Sequence, residues 1–430
     1  MKKEVLLCCM AGFLLTGITG CSDEEPWTDP NQNESGTTNP DTDDPDYILQ
    51  KDDIKVDYPE AGFTANAGQA FLIEVKSVSD ENVTYAWLID GKEVAQTKSF
   101  THTFTQTGTY QLTLKVSQGQ TSFEFSYTVN VGYAALPETP KDASPYITKV
   151  LEYRPAPGQF VNTMPQYKEG DTQATMNEKA LNAIGNNTKG MITLGGYGGY
   201  VTVGFDHTIR NAKDANDFLV LGNAFENSSE PGIIKVAYDV NQNGQPDEEE
   251  WFEIAGSAHH APKQETWYEP AKQAGNSVET YRDYSITYKK PAKEPTTNEE
   301  KENYIFWEDN KGHKGYKVMN QFHPQPYYPQ WIEEEQLVFT GTCLPQNGIN
   351  QGTDKNFVLP SFTYGYADNY PNDAAKAAID IDWAVDKDGK PANLPGVDFI
   401  KIYTGVNQEN GWLGENSTEV CGVTDLNLTK

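Results

Sequence analysis

From Ile54 onward apolar and polar residues alternate with period two over most of the chain. Phe71–Val75, Val83–Leu88, Tyr110–Val116 and Phe123–Val129 each place every second side chain on one face, which is the pattern of a half-buried strand. Asp90-Gly91 supplies a hairpin turn after Trp87, and Gly108 precedes the Tyr110 strand. Short strands with turns between them predict a small β-sandwich. Pro137, Pro140 and Pro145 then mark a stiff linker, beyond which the alternation resumes in Tyr200–Phe205, Phe218–Leu221, Ile233–Tyr238, Trp251–Ile254, Leu337–Thr340, Ile379–Val385 and Phe399–Tyr403. The helical period surfaces once, over Thr175–Ile184, with Met176, Ala180 and Ile184 on one stripe and Gly185 as a stop. A loop-rich insertion, 258–335, interrupts the second set of strands. The fold class that follows is all-β, a small sandwich and then a larger jelly-roll-like one.

The N-terminus changes the picture by giving an address. Lys2 and Lys3, an apolar run from Val5 to Leu15 too short to span a bilayer, and small residues leading to Cys21 make residues 1–20 a secretory signal. Ile18-Thr19-Gly20-Cys21 resembles a bacterial lipobox, which implies cleavage before Cys21, acylation there and anchoring in outer-membrane lipid. The following Ser-Asp-Glu-Glu resembles the export tag of Bacteroidetes lipoproteins that face the cell exterior. Residues 21–50 carry nine acids and no base, too polar to bury a core, and are expected to form a tether averaging roughly 30 Å end to end. The remaining boundaries are 51–134 for the small sandwich, 135–145 for the linker and 146–430 for the larger domain. A net charge of −29 argues against nucleic acid and anionic lipid surfaces, both of which demand a basic face.

Within the small sandwich, Tyr85-Ala86-Trp87, Phe104 and the run Gly108–Val116 resemble the core pattern of the PKD domain, an immunoglobulin-like sandwich, with Ser117 where that family often has Asp. The resemblance implies a spacer or adhesion module, and Trp87 is expected in the core between the sheets.

The sharpest chemical motif is the run Asp239–Glu250. Asp239, Asn241, Asn243, the Gln245 carbonyl, Asp247 and Glu250 fall at the ligand positions of a twelve-residue calcium loop, with Gly244 at its sharp turn. Ca²⁺ is therefore the expected cofactor, in a structural role, on a loop flanked by strands and not by helices. The second group is aromatic: Trp267, Tyr268, Tyr304, Trp307, Tyr327, Tyr328 and Trp331 crowd the insertion, either as stacking platforms for a flat ligand or as the insertion's own core. Trp383 and Trp412 are read as core and loop-packing residues. Cys343 and Cys421, the two cysteines left after the signal and Cys21, are a candidate disulfide that would stabilise by roughly 4 kcal/mol, with two buried thiols as the alternative. His259-His260 lacks the spaced partners of a zinc site, Gly195–Gly199 precedes a strand and so makes a turn, and no GxSxG elbow occurs.

Several phrases of the larger domain form a set: Tyr153–Asn162, Leu194–Gly199, Asp217–Phe225, Glu230–Ile233, Tyr364–Asn369, Asp380–Asp386 and Asp398–Thr404. Together they resemble PKD-containing cell-surface lipoproteins of gut Bacteroidetes. That resemblance implies a non-catalytic accessory of a TonB-dependent outer-membrane transporter, binding a corrinoid (vitamin B12) first and a glycan second, and it brings no catalytic residues. Asn223 and Glu230 sit inside these phrases as a further cation pair or as hydrogen-bonding groups at a strand crossing. Glycan hydrolysis by a carboxylate pair is the rival reading.

Overall fold

The computed structural model of the protein describes residues 47–352 and 356–429. The signal, Cys21 and most of the tether lie outside the described residues.

The small sandwich is built mainly from β1 (Phe63–Asn66), β2 (Ala70–Ile73), β3 (Val83–Ile89), β4 (Lys92–Ala95), β5 (Phe100–Thr103), β6 (Gly108–Gln118) and β7 (Thr121–Gly132), with a short antiparallel pair of Ile54–Val56 and Val75–Ser77 beside them. One sheet runs β1-β7-β6-β3-β4 and the other pairs β2 with β5. The alternation of β6 puts Leu112, Leu114 and Val116 fully inside, with Leu114 directly across from Trp87. The Trp87 indole N–H would be costly to bury alone, and it donates to the Thr97 carbonyl at 2.9 Å. Asp90 and Gly91 both take positive φ, the requirement of the tight hairpin their sequence predicts.

The larger domain is also all-β. Its main sheet is antiparallel, in the order β8 (Lys149–Arg154), β9 (Tyr200–Arg210), β18 (Gly396–Thr404), β11 (Gly232–Ala237), β12 (Trp251–Ile254) and β17 (Ala384–Val385). A smaller sheet contains β10 (Phe218–Leu221) and β19 (Gly422–Asp425). Helix α1 (Gln173–Ile184) starts at Thr172, whose hydroxyl accepts the Thr175 N–H, and buries Met176, Ala180 and Ile184 as the stripe predicts. The insertion is more ordered than its composition suggests. It supplies β13 (Tyr281–Lys289), β14 (Ile305–Asp309) and β15 (Lys314–Lys317), which join β16 (Gln336–Cys343) in a sheet ordered β15-β14-β13-β16. This sheet packs on the main one: the Phe339 ring fills the space over Gly198, and the Thr342 N–H donates to the Tyr403 hydroxyl at 2.8 Å.

Two expectations are corrected. Ile379–Val385 is no continuous strand, because the Asp380 side chain accepts the Asp382 N–H and turns Ile381–Trp383 into a 3-10 helix. Cys343 and Cys421 are free thiols and not a disulfide. Cys343 ends β16 and faces the Leu344 carbonyl, whereas Cys421 leads into β19 and faces that of Gly222, so different elements hold the two sulfurs. Burial pushes both thiols up, to about 12 and about 11.

The two sandwiches touch. Tyr133 meets Tyr238 edge-on at 5.4 Å, and Gly68 lies so close to the Val240 carbonyl that a Cβ there would stand 2.3 Å from it. The linker is pinned by Arg210, which donates to the Pro137 carbonyl and the Thr139 hydroxyl, and by Asp206, which accepts the Ser144 N–H.

Candidate functional site

Of the seven aromatic residues singled out in the insertion, six belong to its core. Trp267, Tyr268, Tyr304, Tyr327, Tyr328 and Trp331 are buried. Trp331 lies between Tyr153 and Tyr167 with its N–H on the Gln173 side chain, and the Tyr328 hydroxyl donates to the Glu334 carbonyl. Their large apolar area is used against β8, α1 and each other, so of the proposed ligand-binding set Trp267, Tyr268, Tyr327, Tyr328 and Trp331 are corrected to packing residues. Trp307, the seventh, is only partly buried.

Exposed aromatic surface gathers where the insertion meets other segments, around a cleft of about 460 Å³ walled by Gln159, Phe160, Asn320, Phe322, His323 and Trp412. Phe322 is 63% exposed and Trp412 50%, and Phe225, on the loop that contributes Asn223 and Ser228 to the cleft, is 64% exposed. These rings stand on a fixed frame. Asn320 donates to the Trp412 carbonyl at 2.7 Å and its backbone N–H to the Tyr327 hydroxyl at 2.7 Å, so the buried Tyr327 supports the rim from below. Gln159 donates to the Leu413 carbonyl at 2.7 Å, and the Phe160 and His323 rings meet edge-on at 4.7 Å.

The floor of the cleft is acidic, lined by Glu230, Glu415 and Glu419 with Asp368 buried behind them. Glu230, Asp368 and Glu419 bring carboxylate oxygens within 4.8 Å of one another, the one group of three such ligands found among the described residues, and oxygens so placed can hold a hard cation. Asp368 is held by backbone: Oδ1 accepts the Asn223 and Ala224 N–H groups at 2.8 and 2.9 Å, and Oδ2 that of Glu419 at 3.0 Å. Gly222 is required beside it, since a Cβ there would fall 2.2 Å from Oδ1. Glu419 accepts from the Thr193 and Ser417 hydroxyls and from the Asn223 amide, and Glu230 accepts the Ser417 N–H. Beside them Glu415 accepts the Gln159 N–H at 2.7 Å. Burial raises the whole group, joined by repulsion from neighbouring acids at Glu230, Glu415 and Glu419 and opposed at Asp368 by its three backbone N–H donors: Asp368 and Glu415 to about 7, Glu419 to about 8, and Glu230 well above the usual carboxylate range. Near neutral pH such acids retain protons and offer donors as well as acceptors.

Asn223 and Glu230, singled out in the sequence, thus belong to one site. Asp368, Glu415, Glu419 and Phe322 were missed, and Trp412, expected to pack a loop, is a rim residue instead. Only Asp368 lay in a phrase already noticed; the others carry no local pattern.

The calcium-type loop folds as a chain of turns. Asp239 accepts the N–H groups of Asn243 and Gly244, Asn241 accepts that of Asn243, and Asn243 that of Gln245, which directs the oxygens of the first, third and fifth positions inward. The Asn241 and Asn243 amides donate to Asp247 at 2.6 and 2.9 Å. Glu250, the last position, is buried and accepts the Val240 and Asp247 N–H groups. His259 is no metal ligand here: its Nε2 faces Glu253 at 2.8 Å and its Nδ1 the Tyr366 hydroxyl at 2.9 Å.

No curated protein matches the chain. Among solved structures, a quinonprotein alcohol dehydrogenase-like protein of Bacteroides thetaiotaomicron is 10% identical over 42% of this chain and 44% of its own, with a TM-score of 0.17, so the chain spans less than half of that relative. A SusE-like protein is 9% identical over 89% of this chain and 99% of its own, with a TM-score of 0.20. A Bacteroides ovatus protein of a mixed-linkage glucan utilization locus, solved with a mixed-linkage heptasaccharide, is 12% identical over 67% and 97%, with a TM-score of 0.15. Likenesses at these scores carry no conclusion about this chain. Residues 52–118 match the family of PKD-like domains, which places that fold in the small sandwich.

Proposed function

We propose that the protein is a surface lipoprotein that binds glycan without hydrolysing it, on behalf of a TonB-dependent transporter, with the PKD-like sandwich as spacer. The observation that carries this reading is the cleft at Trp412 and Phe322: exposed rings on a rigid frame above a floor of acids and amides. A sugar ring has an apolar face that stacks on an aromatic side chain and a rim of hydroxyls that needs donors and acceptors together. The floor supplies both. Its acids are spent on architecture, since Asp368 accepts three backbone N–H groups and Glu419 two hydroxyls, and this favours binding over catalysis. A corrinoid, first among the sequence expectations, has no feature of this cleft in its support.

Affinity electrophoresis of the lipid-free protein in gels containing mixed-linkage β-glucan, xyloglucan, galactomannan or mucin tests the reading. Retardation by at least one polymer, lost in Trp412→Ala, is expected. No retardation by any polymer, or release of reducing sugar, overturns it. A pink protein after cyanocobalamin and desalting would restore the corrinoid.

We also propose that the Asp239–Glu250 loop takes Ca²⁺ in a structural role. The inward turn of the oxygens of Asp239, Asn241 and Asn243 supports it.

A further inference from the structure

A second cleft, of about 330 Å³, opens where the sheet of the insertion outruns the core, between β13–β14 and the segments 343–346 and 407–409. Trp307 lies in the cross-strand row Tyr288–Trp307–Gly315. Tyr288 in that row is fully buried, whereas Trp307 packs on the core but is left only partly buried, and lines the cleft. Across the strand Gly315 has no side chain, and a Cβ there would stand 3.0 to 3.2 Å from Cζ2, Cε2 and Nε1 of the indole. The indole therefore packs close against the Gly315 backbone, where a side chain would crowd it.

The facing wall is polar and already organised. Gln346 donates to the Asn407 carbonyl at 2.8 Å while its own carbonyl accepts the Ser277 N–H at 2.9 Å. Glu409 is held by Lys317 at 2.7 Å, and Asp309 accepts from the Tyr284 hydroxyl at 2.7 Å. Two carboxylates on the walls, with Lys317 already paired, disfavour phosphate and carboxylate ligands. A wholly apolar ligand would strip water from the amides without replacing it. A ring with an apolar face and a hydroxyl rim answers both constraints. The geometry points to a second saccharide subsite, with the Trp307 indole as its stacking platform. It rests on the glycan-binding reading and extends it, because both clefts flank one chain segment, in which Glu409 and Glu415 pair as a β-bridge. A polymer that reaches both would gain by avidity what a short oligosaccharide cannot.

The test uses the polymers of the panel above and hexasaccharides cut from them. By titration calorimetry the wild type is expected to bind two hexasaccharides per chain and Trp307→Ala one. On the parent polymer Trp307→Ala is expected to lose about tenfold or more in affinity. Gly315→Val, which lifts the indole from its seat, should reproduce both losses, Trp307→Phe should retain two sites, and Trp412→Ala should remove the other one. If Trp307→Ala does not fold, Gly315→Val and Gln346→Ala carry the same readout. A wild type that binds one hexasaccharide, or Trp307 and Gly315 variants that keep two, overturns the second subsite and leaves the first intact. A wild type that binds no polymer overturns the glycan reading itself.

Discussion

Trp331 and Trp412 are both tryptophans in loop segments of the larger domain, and they do opposite things. Trp331 is 9% exposed and stacked between Tyr153 and Tyr167, with its N–H satisfied by Gln173. Trp412 is 50% exposed, on a turn whose carbonyl is held by Asn320. Aromatic density along a sequence therefore marks a core as readily as a binding surface. What separates the two is whether other rings reach the residue, and that is a tertiary fact. The contrast breaks most visibly by mutation. Trp331→Ala is expected to destabilise the domain by about 4 kcal/mol through the cavity it leaves, read as a fall in urea midpoint, without a specific effect on ligand affinity in whatever fraction stays folded. A neutral outcome would mean that Trp331 is not core.

The same contrast extends to charge. The acids under the first cleft are buried, with folded pKa values raised above unfolded ones, so the folded state holds protons that the unfolded state has released. Stability is then full below the unfolded carboxylate range and falls as pH rises through the folded values near 7 and 8. Acidification from pH 8.5 to 5.5 is expected to stabilise the domain by about 3 kcal/mol, the three coupled groups contributing less than their separate shifts would sum to. Glu419→Gln should flatten that slope. Urea midpoints unchanged or falling on acidification would contradict the burial of these acids.

Much of the fold was open to a reading of local pattern. Val83–Ile89 and Gly108–Gln118 alternate cleanly because one face packs on the core and the other meets water. The α1 stripe needs only Met176, Ala180 and Ile184. Strand β13 was overlooked although Tyr284, Ile286 and Tyr288 alternate, because the register shift between Tyr281 and Tyr284 breaks the period at its start. The site was scarcely legible. Glu419 meets Asp368 across 51 residues, and Asp368 meets Asn223 across 145. Neither pairing leaves a mark on its neighbours in the chain, so only the fold reveals that these acids share a floor.

If Trp412 belongs to a binding surface, its removal should leave stability alone. Trp412→Ala is expected to shift the urea midpoint by less than about 0.5 kcal/mol while glycan affinity falls about tenfold, or about 1.4 kcal/mol. The two tryptophans would then differ in both readouts in opposite directions. Loss of stability without loss of binding in Trp412→Ala would reduce the contrast to one of degree and move the site elsewhere.

The smallest expected effect concerns the acids that are not buried. Asp239 and Asp247 sit on a surface loop and are only half-buried, whereas Asp368, Glu415 and Glu419 are almost wholly enclosed. Cation binding there needs little desolvation but also gains little, and extracellular sites of this kind bind Ca²⁺ weakly. At a Ca²⁺ concentration about five times the dissociation constant, linkage gives a stabilisation of about 1 kcal/mol, a rise of a few degrees in Tm that EDTA reverses and Asp239→Ala removes. The gain should concentrate at the contact between the sandwiches, since the Val240 N–H is held by Glu250 and the Val240 carbonyl abuts Gly68 of the PKD-like unit. Hydrogen exchange at Val240 and Gly68 that slows on adding Ca²⁺ would locate the effect there. Unchanged exchange together with no heat of binding would leave the loop as a polar turn.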